Sequence, residues 1–263
     1  MCNDWFSIGP LTIHGYGVCI AVGLLLALWL SCVRAKKRNL NDDICYGMVF
    51  CAAIFGFLGA KIMFCLVEWK AFIADPISFI STSGFVVYGG ITGGVFAVWV
   101  YTKIKKVDFI EYLELCIPGV ALAQGFGRLG CFCAGCCYGR ETDSWIGIAF
   151  KNSGYAPNGV KLIPTQLISS AGDFLNMALL LFIAKHTKKK GTVLACYVIF
   201  YSIGRYFVEM LRNDDRGTVG NLSTSQFYGI FSLIIGLGIL VWANVHKEKE
   251  AIVEEETKEN EEV

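Results

Sequence analysis

Hydrophobic residues occur along the chain in seven long runs that are separated by short polar segments. A membrane-spanning helix needs about 20 consecutive, predominantly apolar residues, and the seven runs have about this length. The fourth run is the weakest because Pro118 and Gly119 interrupt it. The runs lie at residues 13–33, 44–66, 85–102, 111–126, 165–184, 191–210 and 223–243. The pattern predicts an all-α integral membrane domain over residues 1–245 with seven transmembrane helices.

Composition agrees with this fold class. Of the 263 residues 55% are hydrophobic and only 17% are charged, whereas about a quarter of the residues in a soluble domain are charged. The formal net charge of +1 gives no indication of nucleic-acid binding, and none is expected. The N-terminus lacks the basic region and cleavage site of a removable signal peptide. Residues 246–263, "HKEKEAIVEEETKENEEV", have the composition of a charged, disordered tail.

Basic residues are distributed unequally between the predicted spans. The segments "RAKKR" (34–38), "KIKK" (103–106) and "KHTKKK" (185–190) follow the first, third and fifth spans. Because cytoplasmic loops carry an excess of lysine and arginine, we expect an outside N-terminus and a cytoplasmic C-terminus. Residues 127–163, the beginnings of spans one and three, and the end of span six then lie on the extracytoplasmic side. Most polar segments without a basic cluster therefore collect at one leaflet.

Ionisable residues at membrane depth are costly and by default indicate a functional site. Arg205 lies within the sixth span, and Glu209 and Arg212 follow four and seven positions later, on one helical face. The group is either a packing ion pair or a pair in which Glu209 orients an arginine that binds phosphate. Arg128, between Gly127 and Gly130, is a second cation at the same predicted leaflet, and two arginines at headgroup depth suit a phospholipid phosphate.

Four clustered cysteines lie in the stretch "GRLGCFCAGCCYGR", residues 127–140, called here the cysteine-rich segment. Cys131, Cys133, Cys136 and Cys137 can form disulfides on the extracytoplasmic side, can be reactive thiols beside Arg128, or can be inert. The spacing C-x-C-x-x-C-C is not a standard zinc pattern and no histidine is near. We therefore expect no metal site and no cofactor.

Several motifs together resemble the prolipoprotein diacylglyceryl transferase family. The cysteine-rich segment resembles the family signature, which reads roughly G-R-x-G-N-F-x-N-x-E-x-x-G. The resemblance extends in matching order from about residue 12 to residue 240. It includes "LTIHGYG" (11–17), "FLGAKIMF" (57–64), "YGGITGG" (88–94), "IPTQL" (163–167), "GRYFVEMLRNDD" (204–215) and "SQFYGI" (225–230).

The resemblance implies an enzyme of lipoprotein maturation in the bacterial cytoplasmic membrane, with its site toward the outer leaflet. Such enzymes transfer a diacylglyceryl group from phosphatidylglycerol to the lipobox cysteine thiol in the signal peptide of a prelipoprotein. Phosphatidylglycerol, the prelipoprotein and membrane lipid are therefore the expected partners. The implied catalytic residues are Arg128, Arg205, Tyr16, Tyr88 and Glu209, and the implied substrate-binding residues are Arg128, His14, Gly89, Gly90, Gln166 and Arg212.

Each of these assignments has a structural alternative. Tyr16 fits an interfacial anchor, His14 fits a packing residue, and the glycines beside Tyr88 fit a helix-packing surface. The chain also departs from the family pattern, because Tyr88 stands where the family has histidine. Cys131 and Cys136 replace an asparagine and the glutamate of the signature. A paralogue with a different acceptor and a non-catalytic lipid-binding or thiol-redox protein therefore stay open as alternatives.

Overall fold

The computed structural model describes residues 4–8, 11–81, 84–187, 189–213, 218–219 and 222–261. Within these ranges the chain forms nine helices and three two-stranded antiparallel sheets. The helices are α1 (Gly15–Lys37), α2 (Asp43–Val67), α3 (Trp69–Ala74), α4 (Pro76–Ser81), α5 (Val87–Ile104), α6 (Phe109–Ala134), α7 (Thr165–His186), α8 (Thr192–Met210) and α9 (Thr224–Glu261). The strands are β1 (Asp4–Ile8), β2 (Leu11–His14), β3 (Ile148–Ala149), β4 (Lys161–Leu162), β5 (Thr218–Val219) and β6 (Leu222–Ser223).

Six helices in the described ranges are long and apolar enough to cross a membrane. They are α1, α2, α6, α7, α8 and the part of α9 from Thr224 to Val245. The predicted all-helical, membrane-type architecture is therefore confirmed. The third predicted span forms α5, whose 18 residues are not in this set, and the total of seven spans stays a prediction. Helix α9 continues to Glu261, through the segment whose composition predicted a disordered tail.

The fourth span was predicted wrongly at its C-terminal end. The prediction stops at residue 126, whereas α6 continues to Ala134 and passes through Pro118 without a break. Membrane helices tolerate an internal proline because neighbouring groups satisfy the freed carbonyl. At its start, the Asp108 carboxylate accepts a hydrogen bond of 3.0 Å from the backbone N–H of Glu111, as a helix N-cap does. Arg128 and Cys131 therefore lie on the last two turns of a helix.

The chain divides into two compact units, Ser31–Leu113 and Met1–Leu30 with Glu114–Val263. In the first unit, α2 and α5 pack through glycine. A Cβ on Gly59 would collide with the carbonyl oxygen of Gly89, and a Cβ on Gly93 would lie 2.6 Å from that of Phe55. The two backbones are therefore in direct contact, as small residues permit in membrane helices.

In the second unit, residues 135–164 form a small folded layer beyond the end of α6. Its core contains the buried residues Phe150, Ala156 and Leu162. Backbone hydrogen bonds tie this layer to the end of α8, since the N–H of Arg140 donates to the carbonyl of Leu211 at 2.9 Å. These contacts hold the cysteine-rich segment beside the C-terminal turn of α8.

Candidate functional site

A cavity in the second unit contains both arginines that the sequence singled out. Its volume is about 80 Å³, several times the roughly 10–15 Å³ that one bound water requires. Helices α6, α7 and α8 supply its wall. Its polar lining comprises Arg128 of α6, Ser169, Asp173 and Asn176 of α7, and Tyr201 and Arg205 of α8. We call this space the arginine cavity.

Arg205 is held in place by two neighbours. Its Nη2 lies 2.9 Å from Glu209 Oε2 and donates a hydrogen bond of 2.8 Å to Ser225 Oγ of α9. The Glu209 carboxylate is itself fixed, because Ser223 Oγ donates to Oε1 at 3.2 Å and Arg212 Nε lies 3.9 Å from Oε2. Glu209 therefore holds the Arg205 side chain in this position, and the catalytic role of the pair stays a prediction. A guanidinium has five N–H donors, and these contacts use only Nη2.

Asp173 brings a carboxylate to the same cavity. It is 9% exposed and interacts electrostatically with both Arg128 and Arg205. Among the residues that line the cavity, two arginines stand against this one carboxylate, so the ionised lining carries a formal charge of +1. This excess positive charge suits a phosphodiester, which carries a single negative charge.

Asn176 gives an independent indication of a polar ligand. It is 6% exposed and lines the arginine cavity, yet neither Nδ2 nor Oδ1 has a hydrogen-bond partner among the described residues. An unsatisfied buried polar group costs about 1–3 kcal/mol. This cost is relieved when a group with both donor and acceptor atoms, such as a hydroxyl, enters the cavity.

The cysteine-rich segment owes its conformation to the way α6 ends. Gly135 has φ +74°, its N–H donates to the carbonyl of Phe132, and the N–H of Cys136 donates to that of Cys131. This pair of bonds is a Schellman motif, which brings the second residue after the helix against the third residue before its cap. Those two residues are Cys136 and Cys131. The helix ending therefore brings two of the thiols together.

Cys137 completes a group of three thiols. Cys137 has a left-handed backbone conformation, with φ +62°. Its Sγ atom and the Sγ atoms of Cys131 and Cys136 all lie within 4.8 Å of one another. We call these three residues the thiol cluster. Hydrogen bonds from the thiols of Cys131 and Cys136, together with Arg212, hold the pKa of Cys137 far below its usual range. Hydrogen bonds between the Cys136 thiol and those of Cys131 and Cys137 raise the pKa of Cys136.

The cluster lies next to the arginine cavity. Arg128 interacts electrostatically with Cys131 and Cys137, and the Tyr16 side chain interacts with Arg128 and all three thiols. A Cβ on Gly130 would lie 3.1 Å from the Tyr16 ring, so α1 and α6 are in close contact at this level. Tyr16 is therefore a neighbour of both Arg128 and the thiol cluster, and its role toward a substrate stays a prediction.

Cys133 is separate from the other three clustered cysteines. It lies on α6 and its thiol pairs with that of Cys19 on α1. All four, like the other cysteines in the described part of the chain, are present as thiols and not as disulfides. The thiol cluster nevertheless has the composition and proximity of a metal-ligand group. The expectation of no metal site rested on sequence spacing and on the lack of histidine, neither of which reveals this convergence.

Two predicted substrate-binding residues make contacts within the protein. Gln166 is 1% exposed and its Nε2 donates a hydrogen bond of 2.7 Å to the carbonyl of Cys136, so it supports the cysteine-rich segment. Next to it, Thr165 Oγ1 donates to the carbonyl of Cys137 at 2.7 Å. His14 ends strand β2, where it pairs with Asp4 of β1. Contact of Gln166 or His14 with a substrate stays a prediction.

Tyr88, Gly89 and Gly90 belong to the unit Ser31–Leu113. Tyr88 is 43% exposed in the first turn of α5. A Cβ on Gly90 would lie 3.2 Å from the carbonyl oxygen of Gly56. The packing alternative therefore accounts for the contacts of Gly89 and Gly90, and their role toward a substrate, like that of Tyr88, stays a prediction.

Among the polar residues of the cavity, sequence reasoning missed Asp173, Asn176 and Tyr201. A signal was present for the first two. Ser169, Asp173 and Asn176 follow one another at intervals of four and three along an otherwise apolar span, which places them on one face. Asp173 is also an ionisable residue inside a span. Tyr201 precedes Arg205 by one helical turn, but a tyrosine in a membrane helix carries no comparable signal.

Six apolar helices of membrane-spanning length indicate a multi-pass membrane protein, and its second unit contains a cavity lined by two arginines. The chain matches the family of prolipoprotein diacylglyceryl transferases over residues 3–242, and it belongs to this family. A phosphatidylglycerol–prolipoprotein diacylglyceryl transferase of Clostridium tetani is 47% identical over 233 residues, which cover 88% of this chain and 94% of the relative. Transferase 2 of the same name from Clostridium perfringens is 46% identical over 92% of this chain and 94% of the relative.

Proposed function

We propose that the protein transfers a diacylglyceryl group from phosphatidylglycerol to the lipobox cysteine of prelipoproteins. The observation that carries this proposal is the arrangement of Arg128 and Arg205 on one buried cavity in a chain of this family. The thiol sulfur attacks the glyceryl carbon that bears the phosphate ester, a C–S bond forms and the C–O bond breaks. Glycerol phosphate leaves with the electron pair, and the thiol proton is lost to a base or to water.

The charge of the site suits this reaction. The phosphodiester of the substrate carries one negative charge, and the phosphate monoester that leaves carries more. Fixed cations in a water-poor site stabilise that growing charge most at the transition state. Arg205 is held for this task by Glu209 and Ser225, and Arg128 is the second cation.

The glycerol of the lipid headgroup suits the remaining polar wall. Its hydroxyls donate and accept hydrogen bonds, as the unpartnered amide of Asn176 requires. Asp173 accepts from the same hydroxyls. A cationic headgroup such as choline offers Asn176 no such hydroxyl pair. These two residues therefore favour phosphatidylglycerol as the donor lipid.

An apolar groove on the neighbouring face of α8 offers a place for an acyl chain. Its volume is about 290 Å³, and Ile203 and Phe207 of α8 and Ile230 and Leu233 of α9 are among its lining residues. Because the groove and the arginine cavity share helix α8, one lipid can place its headgroup in the cavity and a chain in the groove.

The orientation follows from charge. We assign seven spans in the bacterial cytoplasmic membrane, an outside N-terminus, a cytoplasmic C-terminus and a site that opens to the outer leaflet. The basic segments at 34–38, 103–106 and 185–190 support this assignment. Reporter fusions after residue 40 and after residue 245 test it, since both are expected to be cytoplasmic. A periplasm-type signal at either position contradicts the assignment.

The function is tested with the purified protein, vesicles that contain phosphatidylglycerol with a labelled diacylglyceryl group, and a lipobox peptide. We expect label on the peptide cysteine, and none on a peptide with serine at that position. Arg128→Ala is expected to lower the rate by about 10²–10³-fold. Arg128→Lys keeps the charge but loses the planar fork, so an intermediate rate is expected.

Lys161→Ala is the matched control, because Lys161 is an exposed cation of the layer beyond α6. Its rate is expected to equal that of the unaltered protein. A folded protein that transfers no label, or an Arg128→Ala variant as fast as the control, refutes the proposed function.

A further inference from the structure

The proposed reaction needs a thiolate, because a neutral thiol is a poor nucleophile. The chain carries tyrosine at position 88, where the resemblance places the family's histidine. An unperturbed histidine titrates near pH 6.5 and an unperturbed tyrosine near pH 10. A tyrosine is therefore a weak base for a thiol at neutral pH. Another group is required to promote loss of the thiol proton.

The thiol cluster has the features of a catalytic zinc site. Its three sulfur atoms lie within 4.8 Å of one another, and three thiolates at a Zn–S distance of about 2.3 Å in a tetrahedron are about 3.8 Å apart. Only a small inward movement of the side chains is then needed. Catalytic zinc sites use three protein ligands and keep the fourth position for water or substrate.

Two cations beside the cluster offset part of the charge of three thiolates. Arg212 is hydrogen-bonded to Cys137, and Arg128 interacts with Cys131 and Cys137. The carbonyls of Cys136 and Cys137 are fixed by Gln166 and Thr165. These two hydrogen bonds hold the backbone of Cys136 and Cys137 in place, as the residues around the direct ligands of a metal site do.

We propose that Cys131, Cys136 and Cys137 bind one zinc ion whose fourth position takes the acceptor cysteine thiol. The inference rests on the proposed function and adds the means by which the acceptor is activated. A thiol that coordinates zinc is deprotonated, so the proton of the acceptor passes to water as the Zn–S bond forms. The bound sulfur then forms the C–S bond next to Arg128, the C–O bond breaks, and the phosphate leaves with the electron pair. The thioether product is a weaker zinc ligand and departs.

Metal binding is measured first. Full-length protein is purified under reducing conditions, loaded with Zn2+ or Co2+, and analysed for metal content. About one ion per chain is expected, with thiolate-to-cobalt charge-transfer absorption for Co2+. Each of the variants Cys131→Ser, Cys136→Ser and Cys137→Ser is expected to abolish stoichiometric binding. Cys133→Ser is the matched control, because Cys133 lies on the same helix but pairs with Cys19. Absence of metal binding, or equal loss in the control, overturns the proposal.

The role of the fourth position is measured with the Co2+ protein and a lipobox peptide, without donor lipid. A new sulfur ligand is expected to strengthen the charge-transfer band, whereas the peptide with serine in place of cysteine leaves the spectrum unchanged. A spectrum that does not respond to the cysteine peptide overturns the activating role. A disulfide within the thiol cluster whose reduction inactivates the enzyme also overturns it.

These readouts separate the two proposals. If metal and peptide bind as expected but no label is transferred from phosphatidylglycerol, the proposed function fails and the zinc site stands. If label is transferred at full rate by the three serine variants, the zinc site fails and the proposed function stands.

Discussion

Glycines in two regions of the molecule have opposite surroundings. On α2 and α5, a Cβ added to Gly59, Gly89 or Gly93 would meet the backbone of the partner helix. On α7 and α8, Gly172 and Gly204 line the arginine cavity, and an added Cβ meets nothing within 4 Å. The first set lets two backbones touch, and the second set keeps space open beside charged groups. The same residue therefore serves helix packing in one region and access to a polar site in the other.

Glycine content alone therefore does not distinguish a packing surface from a binding site. The difference lies in what the neighbouring positions carry. Around Gly89 the neighbours across the interface are the backbone of Gly59 and the side chain of Met63. Gly204 instead shares the lining of the arginine cavity with Arg205, Tyr201 and Asp173. We expect substitutions in the first region to affect stability and substitutions in the second to affect substrate binding or catalysis.

The largest effect is expected for Arg205→Ala in the cavity region. Loss of one fixed cation at the leaving phosphate is expected to lower kcat/KM about 10²–10³-fold. A Glu209→Gln variant, which keeps Arg205 but weakens its orientation, is expected to lower kcat more than it raises KM. Label-transfer kinetics at several lipid concentrations measure both. An unchanged kcat in both variants contradicts the role of Arg205 in the transition state.

The next largest effect is expected for Gly59→Ala, at the interface of α2 and α5. Its Cβ collides with the carbonyl of Gly89, so the two helices must separate, at a cost of about 1–3 kcal/mol for overpacking. We expect a lower unfolding temperature of the detergent-solubilised protein and a normal KM for the fraction that stays folded. Gly17→Ala, on α1 with no atom near the added Cβ, is the control. Equal stability of the two variants contradicts the packing argument.

Asn176→Leu is expected to have two moderate effects of opposite sign. The lipid-free protein becomes more stable, by up to about 1–3 kcal/mol, because an unsatisfied buried amide is removed. The KM for phosphatidylglycerol rises about tenfold, which corresponds to about 1.4 kcal/mol of lost headgroup binding. Thermal unfolding and transfer kinetics check the two signs separately. A variant that loses stability without any change in KM shows that Asn176 is a packing residue.

Gly172→Ala is expected to have the smallest effect. The added methyl group meets no atom within 4 Å. The free energy of unfolding therefore changes by no more than about 1 kcal/mol, which is the difference in helix propensity between alanine and glycine. The KM is expected to rise slightly at most. A larger substitution at the neighbouring wall position, Gly204→Leu, is expected to fold normally and to raise KM by filling the cavity. A folding defect in Gly204→Leu contradicts the distinction between the two regions.

Much of the architecture could be predicted from the sequence because a membrane imposes one requirement along the whole chain. Backbone groups in lipid must be satisfied within a helix, so long apolar runs become helices regardless of their neighbours. The bounds of α2, α7 and α8 fall within two residues of the predicted spans. The pairing of Arg205 with Glu209 was equally accessible, because a spacing of four places both on one helical face.

Other features depended on contacts that sequence spacing does not encode. The end of α6 was predicted too early because Pro118 and several glycines disfavour an isolated helix. In the folded protein, neighbouring segments support the helix through these positions. Asn176 shows its unsatisfied amide only once α6 and α8 are placed around it.

By itself, the sequence determined a polytopic helical membrane protein and singled out two arginines as candidate site residues, because hydrophobic length, charge distribution and helical periodicity are local properties of the chain. Only the tertiary structure decided that these arginines share a wall with Asp173 and Asn176, and that Cys131, Cys136 and Cys137 converge while Cys133 turns toward Cys19. The physical reason is that a cavity and a thiol cluster are formed by separate helices and a helix ending, whose relative positions depend on packing between segments distant in the chain.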